Sequence, residues 1–140
     1  MNDVPRAVAD VNVLVSAART PNGVCGRLLE AAIDGRWQPV VSATLFAELE
    51  EVFSRRVFKD LLGQEAIDRF LAGLIAIVEW AEDPPDAAAV PVRDPDDAYL
   101  LALARNAGVD VLVSGDRDLT ELADPQLPVE TPSEFAQRLA

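Results

Sequence analysis

Short apolar runs alternate along the chain with longer amphipathic stretches, and the two periods separate strands from helices. Ala7–Ala9 is an apolar run that stops at Asp10, which predicts a first strand ending there and then a turn into a helix. Gly23–Ile33 reads as helical, with Leu28, Leu29, Ala32 and Ile33 on one face and Asp34-Gly35 as the stop. Gln38–Val41 predicts a brief second strand, and Ser42 or Thr44 caps the helix that follows. Over roughly Thr44–Ser54 this helix carries Leu45, Phe46, Leu49, Val52 and Phe53 on one stripe. Glu48 and Glu50 flank the two edges of the stripe, and Glu51 points away from it. Gly63–Val78 is the most regular helix, with Ile67, Phe70, Leu71, Leu74, Ile75 and Val78 at three- and four-residue spacing. Its pattern calls for packing and carries no chemistry.

Asp83-Pro84-Pro85-Asp86 breaks the chain, and Ala87–Val92 connects to the most informative stretch, Arg93–Asp118. There Asp94 is a good N-cap, Pro95 suits the first helical position, and Asp96 and Asp97 put negative charge where the helix dipole favours it. Ala98–Ala104 is apolar on every side, so this helix is expected to be buried. Asn106-Ala107-Gly108 ends it, Val109–Val113 predicts a short strand interrupted by Asp110, and Ser114-Gly115 is a turn signal. Asp116 and Asp118 then fall just past a strand's carboxyl end, where ligands bind in α/β sheets. Beyond them, Leu119–Leu122 suits one helical turn, Leu127–Glu130 an edge strand, and Thr131-Pro132-Ser133-Glu134 the start of a terminal helix. Strands alternating with helices imply parallel pairing and right-handed crossovers, hence a three-layer α/β domain.

Composition narrows the chemistry. With 140 residues, 50% of them hydrophobic, the chain is expected to form one domain, residues 1–140. Twelve Lys and Arg against 24 Asp and Glu give a net charge of −12, which argues against broad electrostatic capture of nucleic acid and makes a cation the natural guest. No histidine and one cysteine, Cys25, exclude a Cys/His zinc site and an internal disulfide, in keeping with a reducing cytoplasm. The N-terminus lacks the apolar run of a signal peptide, and the longest uncharged apolar run, Phe70–Val78, is too short to span a bilayer, so a cytoplasmic location is expected.

If the strands ending at Asp10 and before Asp116 are neighbours, the two carboxylates converge, and the buried helix brings Asp97 beside them. Clustered carboxylates in a partly dry site repel one another unless protons or a cation neutralise them, and an all-oxygen donor set selects Mg²⁺ or Mn²⁺. Plainer roles exist for several of these acids. Asp94, Asp96 and Asp97 would serve as cap and dipole residues, and Asp116 and Asp118 as turn residues. Asp10, ending an apolar strand two residues before Asn12, has no cap or surface explanation as good as a site role. Periodicity alone does not choose between Glu48 and Glu50. Arg19, Arg55, Arg56, Arg93 and Arg117 are candidates for holding phosphates, although a solvated or ion-paired role is the plainer reading of any single one. Cys25 reads as a packing residue, and Trp37 and Trp80 as core or interface.

Taken together, ADVNVLVSA at Ala9–Ala17, VVSATLFAELEEVFSR at Val40–Arg55, RDPDDAYLLALA at Arg93–Ala104 and LVSGDRDL at Leu112–Leu119 resemble the PIN-domain family. The likeness is to its VapC-like bacterial branch, described as the toxin components of toxin–antitoxin systems. It extends over nearly the whole chain, down to the terminal TPSEF, and is specific as a set rather than in any one piece. It implies a three-layer α/β/α domain with a mainly parallel central sheet, and an acidic site that binds Mg²⁺ or Mn²⁺ and cleaves single-stranded RNA to leave a 5′-phosphate and a 3′-hydroxyl. By position, Asp10, Glu48, Asp97 and Asp116 match the four catalytic and metal-binding acids. Asn12, Ser114, Asp118 and Asp94 match accessory positions, and Arg19, Arg93 and Arg117 remain the phosphate candidates. The resemblance thus selects Glu48 over Glu50. One departure is Val11, which stands where the family usually has Thr. A cognate antitoxin and a homodimer are implied as partners.

Two rival readings carry their own signals. Asp10-Val11-Asn12-Val13 resembles the nucleophile motif of haloacid-dehalogenase-type phosphatases, but Asn12 replaces that motif's second aspartate and the only lysine, Lys59, lies in the wrong neighbourhood. A PIN-like fold kept as a binding or scaffold module is the non-enzymatic alternative, and the retention of all four acids speaks against it.

Overall fold

In a computed structural model, residues 4–85, 95–121 and 127–140 are described. Five parallel strands, β1 (Arg6–Ala9), β2 (Gln38–Ser42), β3 (Glu79–Ala81), β4 (Val111–Val113) and β5 (Val129–Glu130), form one sheet in the order β3-β2-β1-β4-β5. The helices among the described residues are α1 (Val11–Arg19), α2 (Val24–Ile33), α3 (Ala43–Ser54), α4 (Arg56–Leu62), α5 (Gln64–Ile77), α6 (Pro95–Ala107), α7 (Arg117–Thr120) and α8 (Pro132–Leu139).

Alternation along the central strands divides the core in two. Ala7 and Ala9 of β1, with Val111 and Val113 of β4, face a layer built from α1, α2, α3, α5 and α8, where Leu28, Leu49, Phe53, Ile67, Leu74 and Phe135 are buried. Val8 and Leu112, one residue out of step, face α6, whose Leu101, Leu103 and Ala104 are almost wholly buried. The all-round apolar Ala98–Ala104 segment is therefore buried apart from the half-buried Tyr99, as its composition predicts. Together these layers make a helix–sheet–helix sandwich with a fully parallel sheet.

Pairing of β1 with β4 runs in register from Ala7↔Val111 to Ala9↔Val113, so the two strands end level. The Asp10 amide then donates to the Val113 carbonyl at 3.0 Å, which carries the pairing one residue past the strand. This level ending sets Asp10 and Ser114 side by side at the carboxyl edge. On the far side of β1, Ser42 ends β2 and caps α3, accepting from the Leu45 amide at 3.1 Å.

The structure departs from the sequence-based expectation in four places. No turn separates β1 from the next helix: Asp10 itself caps α1, accepting from the Val13 amide at 2.9 Å. Arg55, in extended conformation (φ −68°, ψ 142°), ends α3 and starts a separate short helix, α4, none of whose residues is buried. Gly63, at φ 84°, joins α4 to α5 in a conformation that L side chains rarely adopt. Finally α5 stops at Ile77, and Glu79–Ala81 pairs with Val40–Ser42 as an edge strand.

Candidate acidic site

Asp10 sits where strand, helix and neighbouring strand meet, and only 6% of it is exposed. One carboxylate oxygen caps α1 through the Val13 amide, and the other accepts from the Ser114 hydroxyl at 2.5 Å. Ser114, fully buried, in turn accepts from the Asp116 amide at 3.0 Å, and Asp116 caps α7 by accepting from the Asp118 amide at 2.9 Å. A continuous line of hydrogen bonds thus fixes the end of β1 to the turn after β4. Burial pushes the Asp10 carboxyl above its ordinary range. The hydrogen bonds from Ser114 and Val13 work against that shift, and the negative charge of Asp116 adds to it.

The sequence offers Asp10 no cap explanation as good as a site role, yet in the structure it is a helix cap as well as a buried acid. The double duty follows from β1 running straight into α1. An aspartate at that junction has its carboxylate turned toward the first-turn amides, yet lies inside the sheet edge.

Around Asp10 opens a cleft of about 300 Å³ lined by Asn12, Glu48, Asp97 and Asp116, with Val11, Val52 and Leu100 as its apolar wall. Asp97, in the first turn of α6, is 6% exposed, and Glu48 on α3 is half-buried. Glu50 lies instead against a separate hollow with Lys59 and Asp68. Two further residues line the acidic cleft, Glu51 and Arg55, whose side chains pair at 2.9 Å. Glu51 therefore does not point away from the site, as the apolar stripe alone suggests. Its position is referred to the core, and the cleft opens along the core's edge. The signal was present in the spacing: Glu48, Glu51, Val52 and Arg55 fall at i, i+3, i+4 and i+7. Arg19 and Arg117 do not line this cleft, and Arg93 and Asp94 lie outside the described residues, as does the 87–92 connector.

Carboxylate oxygens of Asp97, Asp116 and Asp118 approach within 4.8 Å of one another. Asp97 is buried while Asp116 and Asp118 are exposed, so solvent screens part of their repulsion; a hard divalent ion between the three would relieve the rest. The donor set therefore fits Mg²⁺ or Mn²⁺, with Asp10 and Glu48 on the same cleft. A larger cleft of about 390 Å³ runs between α2 and α5, but Glu30 and Arg69 are its only charged lining groups and it holds none of the clustered acids.

Comparison with known proteins decides what this arrangement is. The family model described as the PIN domain matches residues 6–118. The chain belongs to the PIN-domain family. PIN domains are generally nucleases, and membership leaves the phosphatase reading of Asp10-Val11-Asn12 without support. An uncharacterized protein of Methanocaldococcus jannaschii is 25% identical, the alignment covering 94% of this chain and 90% of that protein. Among solved structures, PAE2754 from Pyrobaculum aerophilum superposes with a TM-score of 0.67 at 17% identity, covering 96% of this chain and 89% of that one. VapBC2 from Rickettsia felis, solved bound to a DNA fragment from its promoter, gives 0.62 at 16% identity, covering 90% of this chain and 98% of that chain. At these identities the two structures establish a shared PIN fold.

In this PIN domain Val11 lines the cleft as an apolar wall at the position where the family usually carries Thr. Asp10 does receive a hydroxyl hydrogen bond, from Ser114 just past β4.

Proposed function

We propose that this protein is a Mg²⁺- or Mn²⁺-dependent endoribonuclease that hydrolyses phosphodiester bonds of single-stranded RNA as the toxin of a toxin–antitoxin pair in the cytoplasm. The observation that carries the reading is the convergence of Asp10, Glu48, Asp97 and Asp116, from four separate elements, on one cleft at the carboxyl edge of the sheet. An acidic cleft opposes a polyanionic substrate, so the reading requires a cation in it. Asp97, Asp116 and Asp118 would hold that ion, with Asp10 and Glu48 completing its surroundings. A hard divalent ion there supplies Lewis acidity toward the phosphodiester and lowers the pKa of an attacking water. Ser114 and the Val13 amide hold both oxygens of Asp10 in place, so that carboxylate is oriented before any ligand arrives. The single-stranded preference is taken from the family resemblance, and it accords with RNA recognition that targets exposed loops.

The toxin role rests on the motif resemblance and on the fold shared with VapBC2; it entails an antitoxin as partner. A homodimer is proposed with it. Light scattering at micromolar concentration is expected to give twice the monomer mass, and a monomeric mass would remove the dimer.

The deciding experiment is cleavage of a mixed-sequence single-stranded RNA with Mn²⁺, with chelator, and with Asp10→Asn. Cutting that needs both the metal and Asp10 is expected. A chain that neither binds Mn²⁺ nor cuts would point to a binding or scaffold role.

A further inference from the structure

We propose that Arg55 is the substrate-phosphate contact of the acidic cleft, a role that rests on the nuclease reading above. Of the described charged residues lining the cleft, five are acids and Arg55 alone is a cation. Sequence candidates Arg19 and Arg117 are absent from the lining, which leaves Arg55 as the guanidinium in position among the described residues. Three features suit it to a phosphate. It sits at the joint between α3 and α4, seven residues along the helix from Glu48, so its side chain leaves from the same edge of α3. Its bond to Glu51 uses one terminal nitrogen, and a guanidinium offers five N–H donors, so a phosphate can be taken up by the rest of the fork. Both partners are more than half exposed, 57% for Arg55 and 60% for Glu51, so the pair is weak and readily exchanged for a doubly bonded phosphate.

Glu51 acquires a role in the same picture. In the free protein it holds Arg55 on the cleft rim and partly neutralises it, and an incoming phosphate competes with it for the guanidinium. The arrangement places one positive group on the same cleft as the proposed metal site, so the two would hold the sugar-phosphate backbone without reading bases.

The test compares the full chain with Arg55→Ala, Arg55→Lys and Glu51→Gln on single-stranded RNA in Mn²⁺, following KM, kcat, their salt dependence and Mn²⁺ affinity by calorimetry. Arg55→Ala is expected to raise KM roughly tenfold, to leave Mn²⁺ affinity within about twofold, and to reduce the slope of log affinity against log salt by about one. Arg55→Lys recovers part of the loss because it restores charge without the fork, and Glu51→Gln lowers KM. A purely structural role for Arg55 would move kcat, KM and stability together and leave the salt slope unchanged. Unaltered KM and salt slope in Arg55→Ala, with an active wild type, overturn the proposal and leave the nuclease reading standing. A wild type that neither binds nor cuts RNA with Mn²⁺ bound overturns both.

Discussion

Asp10 combines two demands that usually fall on different residues. As an N-cap it has to offer an oxygen to the first turn of α1, which an uncharged Asn does almost as well. As a site acid it has to be ionised, which burial and the charge of Asp116 oppose. Asp10→Asn separates the two: it keeps an acceptor for the Val13 amide and removes the disfavoured charge. The expected outcome is a metal-free melting temperature at least equal to that of the wild type, with RNA cleavage reduced by about a hundredfold or more. Asp10→Ala removes the cap as well and is expected to cost about 1 kcal/mol in urea unfolding. If both variants lost the same stability, the capping role would be wrong. At this scale the sequence was informative about Asp10, Asp97 and Asp116, because a strand end or a helix start is visible in the pattern. Periodicity alone could not separate Glu48 from Glu50, since that choice depends on which edge of α3 faces the cleft; the family resemblance was needed to select Glu48.

Between elements, the edge of the sheet opposite the site is fastened by Arg6 at the start of β1. Its guanidinium forms a forked pair with Glu79 of β3 and donates to the carbonyls of Ala107 and Gly108 at 3.1 and 3.2 Å, at the C-terminal end of α6. One side chain thereby links the first strand, an edge strand and the helix that carries Asp97. Arg6 holds the Glu79 carboxyl below its ordinary range. A depressed folded value means stability that is present above the unfolded pKa and lost as pH falls through the folded one. Glu79→Gln is expected to cost roughly 0.5 kcal/mol at neutral pH, the low figure reflecting side chains 33% and 41% exposed. The difference should shrink as pH falls below the ordinary glutamate range. Arg6→Ala, which also abandons two helix-terminal carbonyls, should cost about 1–2 kcal/mol. Equal costs for the two substitutions would show that the carbonyl contacts contribute nothing. Neither β3 nor α4 was legible in the sequence. Glu79-Trp80-Ala81 is too short for a period to emerge and becomes a strand by pairing with Val40–Ser42, while α4 owes its separate axis to the extended Arg55 and to Gly63. The long, strongly periodic helices α3 and α5 and the apolar Ala98–Ala104 segment of α6 could be read because burial had left its pattern on them.

For the whole molecule, a charge of −12 on 140 residues is a standing cost, and part of it falls on one cleft. Five of the acids line the cleft, and Asp97, Asp116 and Asp118 approach within 4.8 Å of one another. A bound divalent cation should therefore act on the entire folding equilibrium, since it binds the assembled site and not the unfolded chain. At a hundred times its Kd it adds about 2.7 kcal/mol. For a domain of this size that corresponds to a rise in melting temperature of roughly 5–10 °C in excess Mn²⁺ relative to chelator. Sodium chloride at equal ionic strength should give a smaller rise, because it screens exposed charge but cannot bridge three carboxylates. The metal-dependent increment also has a pH signature. Asp10 carries a raised folded pKa, so the metal-free fold gains from its protonation below the unfolded value and loses that gain as pH rises through the folded one. Cation binding calls for the ionised form, so the increment should begin to fall at a higher pH than an ordinary carboxylate would require. Melting curves with and without Mn²⁺ between about pH 7.5 and pH 5 should show it shrinking, and Asp10→Asn should flatten that dependence. An increment that stayed constant over this range would mean that Asp10 does not share the cation's site. An increment matched by sodium chloride would mean that the cluster is relieved by screening alone.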